Sequence, residues 1–163
     1  GYLPESFSFP LNYSFSDTAY YFGLMNKQKS IHVINDIDQL SKEFSLSQLL
    51  KKKVGSLSKG MLQNLGLINA LIGKKNFLIL DEPFNGLDPV QKKRVMSYFN
   101  RINKDDNVTI LITSHNLADV EKFSDQIALI KNGKIVSNES KKNIIAKYQS
   151  IENYYFTYFD ENH

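Results

Sequence analysis

The chain is organised around the stretch FLILDEPFNGLDP, Phe77–Pro89. It opens with a short apolar run, Phe77–Leu80, which is typical of a strand buried on both faces of a parallel sheet. Two carboxylates, Asp81 and Glu82, follow at once. Ligands of open α/β sheets collect at the carboxyl ends of the strands, so this pair is a candidate for holding magnesium and polarising an attacking water. Taken alone, the same residues also fit a strand that ends in a solvated turn.

The composition indicates a folded chain of 163 residues, either one domain or a large part of a larger one. Hydrophobic residues make up 42% and charged residues 23%, which excludes a disordered chain. The net charge of +3 comes without a dense Lys/Arg block, so no nucleic-acid partner is expected. The absence of cysteine excludes thiolate metal sites and suits a reducing cytosol. Neither a signal peptide nor a membrane-spanning apolar run is evident, so we expect any membrane role to require a partner.

The first third of the sequence predicts helices and no strand. A loop-rich opening is followed by a helix with Ser16 as its N-cap, and then by a helix over residues 36–44 and a short helical piece at Ser45–Lys53. Ser58 starts a further helix that Gly73 ends.

The remainder predicts alternating strands and helices. A helix with Asp88 as N-cap follows the Phe77–Leu80 strand, and Val108–Ile112 is the next strand, which together predict a right-handed crossover between parallel strands. The later segments predict, in order, a helix at Asn116–Phe123, a strand at Ile127–Ile130, a hairpin turn at Asn132-Gly133, a strand at Ile135-Val136, a helix at Ser140–Gln149 and a strand at Tyr154–Phe159.

Two constellations could carry chemistry. His115 follows the second parallel strand, so the topology predicts that it shares a sheet edge with the Asp81-Glu82 pair, where a neutral imidazole can donate to a phosphate oxygen. The other constellation is Leu57–Met61 at a helix start, where free N–H groups, the Ser58 hydroxyl and the small Gly60 suit a phosphate. A structural histidine and a plain serine cap are the alternatives for these positions.

The ordered set LSKGM, FLILDEP, NGLDP and ITSH resembles the nucleotide-binding domain of ATP-binding cassette (ABC) transporters, from Gly1 to about Val136. The resemblance implies that Asp81 holds magnesium, Glu82 activates the hydrolytic water and His115 senses the γ-phosphate. Glu5 falls at the position of the family's Q-loop glutamine and is a second candidate magnesium ligand. The remaining implied contacts are to ATP and come from the signature and D-loop matches: Ser58, Lys59, Gly60 and Asp88.

The fold implied is α/β: a partial P-loop NTPase (RecA-like) core of mainly parallel sheet with flanking helices, plus the family's α-helical subdomain. The helical subdomain with its signature helix is expected at about residues 10–75, and the part of the core with the carboxylate pair at about 76–163. The implied partners are a second nucleotide-binding domain in a head-to-tail dimer and a membrane permease, docked at Ser16–Lys53. The implied location is the cytoplasmic face of the cell membrane.

Three departures from the family pattern bear on activity. Lys59 and Met61 replace a glycine and a glutamine of the signature, as in exporters whose ATPase and permease are separate chains, and Glu5 replaces the glutamine. No G-x-x-x-x-G-K-[ST] loop occurs in the sequence. We therefore expect the C-terminal portion of an ATP-binding, ATP-hydrolysing subunit, which by itself binds Mg-ATP weakly, does not hydrolyse it, and self-associates through an open sheet edge.

Two other hypotheses remain open. One is a naturally truncated, non-catalytic module that pairs with a complete subunit and lends it a signature helix. The other, weaker one is an ABC protein acting on ribosomes or in DNA repair, a class that usually carries two cassettes or a long coiled-coil insertion.

Overall fold

The computed structural model describes residues 1–159, and contacts along the chain divide them into two units, Gly1–Thr113 and a second unit that begins at Ser114. The first unit consists, in order, of β1 (Tyr2–Leu3), α1 (Phe15–Met25), α2 (Ser30–Glu43), two single 3₁₀ turns (Ser47–Leu49 and Val54–Ser56), α3 (Lys59–Leu71), β2 (Phe77–Asp81), α4 (Pro89–Asp105) and β3 (Thr109–Thr113). The second unit consists of α5 (Leu117–Phe123), β4 (Gln126–Lys131), β5 (Lys134–Ser140), α6 (Lys141–Tyr148) and α7 (Ile151–Phe159).

The first unit contains a parallel sheet in the order β1-β2-β3. The register pairs Leu3 with Leu80 and Asp81 with Thr113, so the three strands end at the same edge of the sheet. This confirms the parallel pairing predicted from the strand–helix–strand pattern. The prediction of no strand in the first third is wrong, because β1 is a strand of two residues, too short to show a periodicity.

The prediction that β2 is buried on both faces is also wrong within this structure. Leu78 and Leu80 are fully buried, whereas Phe77 is 46% and Ile79 is 39% exposed. Helix α3 packs on the buried face, where a methyl group added at Gly66 would lie 2.8 Å from the Leu3 side chain. The run of four apolar residues therefore has the alternating burial of a sheet covered on one side.

Two helix starts differ from the predicted ones. Helix α1 is capped by Ser14, whose Oγ accepts from the Asp17 N–H at 3.0 Å, because the Ser16 hydroxyl instead donates to the Leu50 carbonyl. Helix α2 begins at Ser30, a turn and a half before the predicted start at residue 36, and thereby buries Val33 as well. The predicted helical piece at Ser45–Lys53 is irregular and contains one 3₁₀ turn.

The caps predicted for α3 and α4 are confirmed. Ser58 caps α3, and the chain leaves that helix through Gly73 with φ +82°, a left-handed conformation that suits glycine. The Asp88 carboxylate caps α4 by accepting from the N–H groups of Val90 and Gln91, each at 2.9 Å.

In the second unit, the hairpin is confirmed and the last predicted strand is wrong. Asn132 and Gly133 have φ values of +52° and +73°, as a two-residue turn between antiparallel strands requires. Tyr154–Phe159 belongs to α7. Its aromatic residues recur at helical spacing, and the rings of Tyr155 and Phe159 stack one turn apart with centroids at 4.4 Å. Tyr154 is fully buried against the β4–α6 core, so packing overrides the strand preference of the aromatic residues.

The outer edge of β3 is unpaired within residues 1–159, because the sheet there has the order β1-β2-β3. The Thr109 N–H donates to Asn76 on the β2 side at 3.0 Å, so the alternating pleat turns the backbone groups of Ile110 and Ile112 outward. Leu111 adds an exposed apolar side chain to the uncovered face.

We predict that this edge makes the chain self-associate at high micromolar concentration, because unpaired strand edges template further pairing. Leu111→Lys should weaken the association, since it places a charge on the edge strand. Multi-angle light scattering over a dilution series measures this. Met25→Lys, at an exposed methionine on α1, is the matched control and should associate like the wild type. A wild-type chain that stays monomeric would contradict the prediction.

Candidate functional site

The carboxylate pair lies at the end of β2, where Thr113 of β3 joins its two members. The Thr113 Oγ1 donates to the Asp81 carboxylate and accepts from the Glu82 N–H at 3.1 Å. The Thr113 carbonyl also accepts from the same N–H at 3.3 Å. The Thr113 hydroxyl therefore holds both the Asp81 carboxylate and the backbone of Glu82. Sequence reasoning missed this role of Thr113, because a threonine at the end of a strand gives no sign of it.

Glu82 begins a tight turn with a strained backbone. Its φ is +46°, in the left-handed region, where a residue with a Cβ costs about 1–2 kcal/mol. The Glu82 carbonyl accepts from the Asn85 N–H at 3.2 Å, and the Phe84 carbonyl accepts from the Leu87 N–H at 3.3 Å. A backbone of this kind persists where its surroundings hold it, and such positions cluster at functional sites.

Gln63 of α3 supplies one of these holding contacts. Its side-chain Nε2 donates to the carbonyls of Glu82 at 3.2 Å and Pro83 at 3.1 Å. The Gln63 side chain is buried, and its bond to the Pro83 carbonyl is sheltered from water. Sequence reasoning missed Gln63, because one polar residue on a helix gives no sign of its distant partners.

The predicted phosphate site at the start of α3 is in backbone contact with the turn after β2. A Cβ added to Gly60 would lie 2.3 Å from the Gly86 carbonyl oxygen, so no side chain fits there. Gly86 itself has φ +75°, which favours glycine. The Ser58 Oγ accepts from the Met61 N–H at 3.3 Å, so the serine acts as the N-cap that the plainer alternative predicted. This cap does not use the donor hydrogen of the Ser58 hydroxyl.

A buried chain of amides reinforces the same contact. The Asn64 Nδ2 donates to the Gly60 carbonyl at 2.8 Å, and the Gln91 Nε2 donates to the Asn64 Oδ1 at 2.6 Å. The backbone N–H of Gln91 in turn donates to the Asp88 carboxylate. The start of α3 and the start of α4 are thus held by one hydrogen-bonded chain, which sequence reasoning also missed.

Three of the four predicted nucleotide contacts, Ser58, Gly60 and Asp88, line one cleft of about 320 Å³ in the first unit. Lys59 lies between two of them and is exposed. Arg94 of α4 lines the same cleft and adds a positive charge. The cleft therefore combines a helix N-terminus with a cation, a combination that suits an anionic ligand.

The other predicted site residues are placed less completely. Glu5 is exposed and follows β1 by two residues, at the sheet edge where β2 also ends. His115 follows β3 by two residues and belongs to the second unit, so its grouping with the carboxylates stays a prediction. Within residues 1–159, no group of three or more His, Cys, Asp or Glu side chains is arranged to hold a metal ion. The assignment of magnesium to Asp81 and Glu5 also stays a prediction.

A family model described as an AAA domain, putative AbiEii toxin, type IV toxin–antitoxin system, matches residues 8–119. The bacitracin transport ATP-binding protein BcrA of Bacillus licheniformis is 41% identical over 106 residues, which are 65% of this chain and 35% of that protein. The chain belongs to the ABC transporter ATP-binding proteins. The chain spans between 35% and 58% of the length of the curated relatives that it matches.

Two solved structures share the fold of this ABC protein. The ATP-binding subunit of an ABC transporter aligns with a TM-score of 0.84 and 22% identity, over 96% of this chain and 66% of that one. A dimeric, post-hydrolysis ATP-binding cassette bound to ADP and Pi aligns with a TM-score of 0.78 and 17% identity, over 86% of this chain and 62% of that one. These likenesses establish the P-loop NTPase fold. In the part of the chain that the structure describes, no helix is long and apolar enough to cross a bilayer.

The Gly60–Gly86 contact predicts whether the substitution Gly60→Ala stabilises or destabilises the chain. Gly→Ala inside a helix normally stabilises a protein by about 0.4–1 kcal/mol. We expect Gly60→Ala to destabilise the chain by about 1–3 kcal/mol instead, because the new methyl group meets a carbonyl oxygen of the backbone.

Thermal unfolding measures this difference. Gln39→Ala, at an exposed position of α2, is the control for helix propensity and should unfold near the wild-type temperature. A Gly60→Ala chain with an unchanged or higher Tm would contradict the close approach.

Proposed function

We propose that this ABC chain carries the catalytic carboxylates and the signature helix of an ATPase that drives transport through a separate permease. One observation supports this above the others: the turn that presents Glu82 is held by α3, the helix whose N-terminus lines the cleft for an anion. A solvated turn after a strand would not need buried hydrogen bonds from a second element.

The residues of the first unit suit the recognition of Mg-ATP. Bound Mg-ATP supplies the phosphoanhydride bond and the metal charge that neutralises its phosphates. In this proposal the Asp81 carboxylate, oriented by Thr113, is a magnesium ligand and Glu5 is a second one. Glu82 accepts a proton from the attacking water, and His115 donates a hydrogen bond to the γ-phosphate.

The signature side of the site serves a second nucleotide-binding domain. We propose that Ser58, Lys59 and Gly60, with Asp88, contact ATP that is bound mainly by the partner of a head-to-tail dimer. The free donor of Ser58, the charge of Lys59 and the dipole of α3 all favour a phosphate there. The likeness to a dimeric cassette supports the arrangement.

The permease docks, in this proposal, on the helical segment Ser16–Lys53. Four large apolar side chains of α1 and α2 are at least half exposed: Tyr21, Met25, Ile31 and Ile34. Exposed apolar side chains suit burial by a protein partner. The location is then peripheral, on the inner face of the membrane. The SKGM sequence favours export.

A second candidate function rests on the signature side of the site alone, because the cleft that Ser58, Gly60 and Asp88 line does not include Asp81 or Glu82. A chain of this kind could pair with a complete subunit and lend it the signature helix without catalysing hydrolysis itself. In that case Glu82 would be dispensable, and Ser58 and Gly60 would not.

The test is ATP hydrolysis by the protein that carries this chain, purified with its membrane subunit. We expect Glu82→Gln to lower kcat by at least about 100-fold while Mg-ATP binding by calorimetry is retained, because the amide keeps the shape and loses the base.

Glu152→Gln, an exposed carboxylate on α7, is the matched control and should hydrolyse ATP at the wild-type rate. Hydrolysis that survives Glu82→Gln but is lost in Ser58→Arg would favour the non-catalytic module. A purified complex without any ATPase activity would refute the first proposal.

A further inference from the structure

We propose that Gln63 is the positioning residue for Glu82, and that through it the orientation of this carboxylate depends on the position of α3. The inference rests on the proposed ATPase function. In that function, Gln63 contacts neither the nucleotide nor the metal ion. Its basis is a pair of hydrogen bonds from one buried side chain to two successive backbone carbonyls.

The two carbonyls belong to the residues at which the chain turns. Glu82 has the left-handed φ of +46°, which sets the direction of its side chain. Without contacts from its surroundings, the residue would relax to a negative φ, which is lower in energy. A donor fixed on the carbonyl side opposes that relaxation, because a change of ψ at Glu82 would rotate its carbonyl away from the Gln63 Nε2. Thr113 holds the N–H of the same residue from the other side, at 3.1 Å.

The two holding elements differ in what else they contact. Thr113 belongs to β3, which is paired with β2 along its length and moves with it. Gln63 belongs to α3, which Ser58 caps and whose first turn contains Gly60. Gln63 is five positions after Ser58, a rise of about 7.5 Å along the helix. A displacement of α3 at its N-terminus is therefore carried rigidly to the amide of Gln63.

The polar character of Gln63 is not required by the packing around it. One turn further along α3, Gly66 and Leu67 are buried and carry no polar side-chain atom, so a methionine of similar volume suits the same environment. A glutamine there buries an amide, which is unfavourable unless both of its donor hydrogens find acceptors. Both do, and both acceptors lie in the Glu82 turn.

The test compares Gln63→Met with the wild type in two measurements. In the complex that hydrolyses ATP, we expect kcat to fall at least about tenfold with the KM for ATP within about twofold, because the base is misplaced and the nucleotide contacts are kept. In the 163-residue chain, we expect the ¹⁵N order parameter of the Glu82 N–H to fall from about 0.85 to below about 0.6.

Gln63→Leu is the second variant, because it also removes the donor hydrogens and is smaller than methionine; it should reproduce both effects if Gln63→Met does not fold. Ile37→Val, a core substitution in α2, controls for lost stability and should leave both kcat and the Glu82 order parameter unchanged.

The outcomes separate this inference from the function on which it rests. A wild-type complex without ATPase activity would overturn the proposed function, and the order parameter would then still decide whether Gln63 holds the turn. With an active wild type, a Gln63→Met protein with normal kcat overturns the positioning role. A loss of kcat without a change in the Glu82 order parameter also overturns it, as does an equal loss in Ile37→Val.

Discussion

The constraint on which the site depends is the close approach of α3 to the turn that follows β2. At Gly60 the backbone of α3 meets the Gly86 carbonyl without room for a side chain, and Gln63 completes the contact with two hydrogen bonds from its buried amide. Because the two glycines fix the distance and the glutamine fixes the orientation, helix and turn form one body. The strained φ of Glu82 is a local cost that this body offsets.

The contact between α3 and the turn also brings two kinds of polar group into one small unit. The end of β2 presents carboxylates, and the start of α3 presents N–H groups and a serine hydroxyl. The buried amides of Asn64 and Gln91 connect the start of α3 to the Asp88 cap of α4. Each buried donor has an acceptor, so the network favours one arrangement over others. In an ABC ATPase, such rigidity would link the nucleotide on one subunit to the base on the other.

The sequence predicted the features whose cause is local, and it missed those whose cause is distant. The caps of Ser58 and Asp88 and the Asn132-Gly133 turn follow from neighbouring residues and are confirmed. The strand predicted at Tyr154–Phe159 is wrong, because burial of the aromatic stripe overrides propensity. Gln63 could not be recognised, since its acceptors lie 19 and 20 residues away and are backbone atoms, which every residue carries.

The most direct test of the account is hydrogen exchange of the amides of Glu82, Asn85 and Leu87 in the native chain, compared with Leu67 and Ile68 in the middle of α3. If helix and turn are one body, the turn amides open with the same free energy as the helix amides, in a single cooperative unit. If the turn amides exchange through an opening that costs several kcal/mol less, at about the level of a mobile loop, the turn is not held by α3 and the account is contradicted.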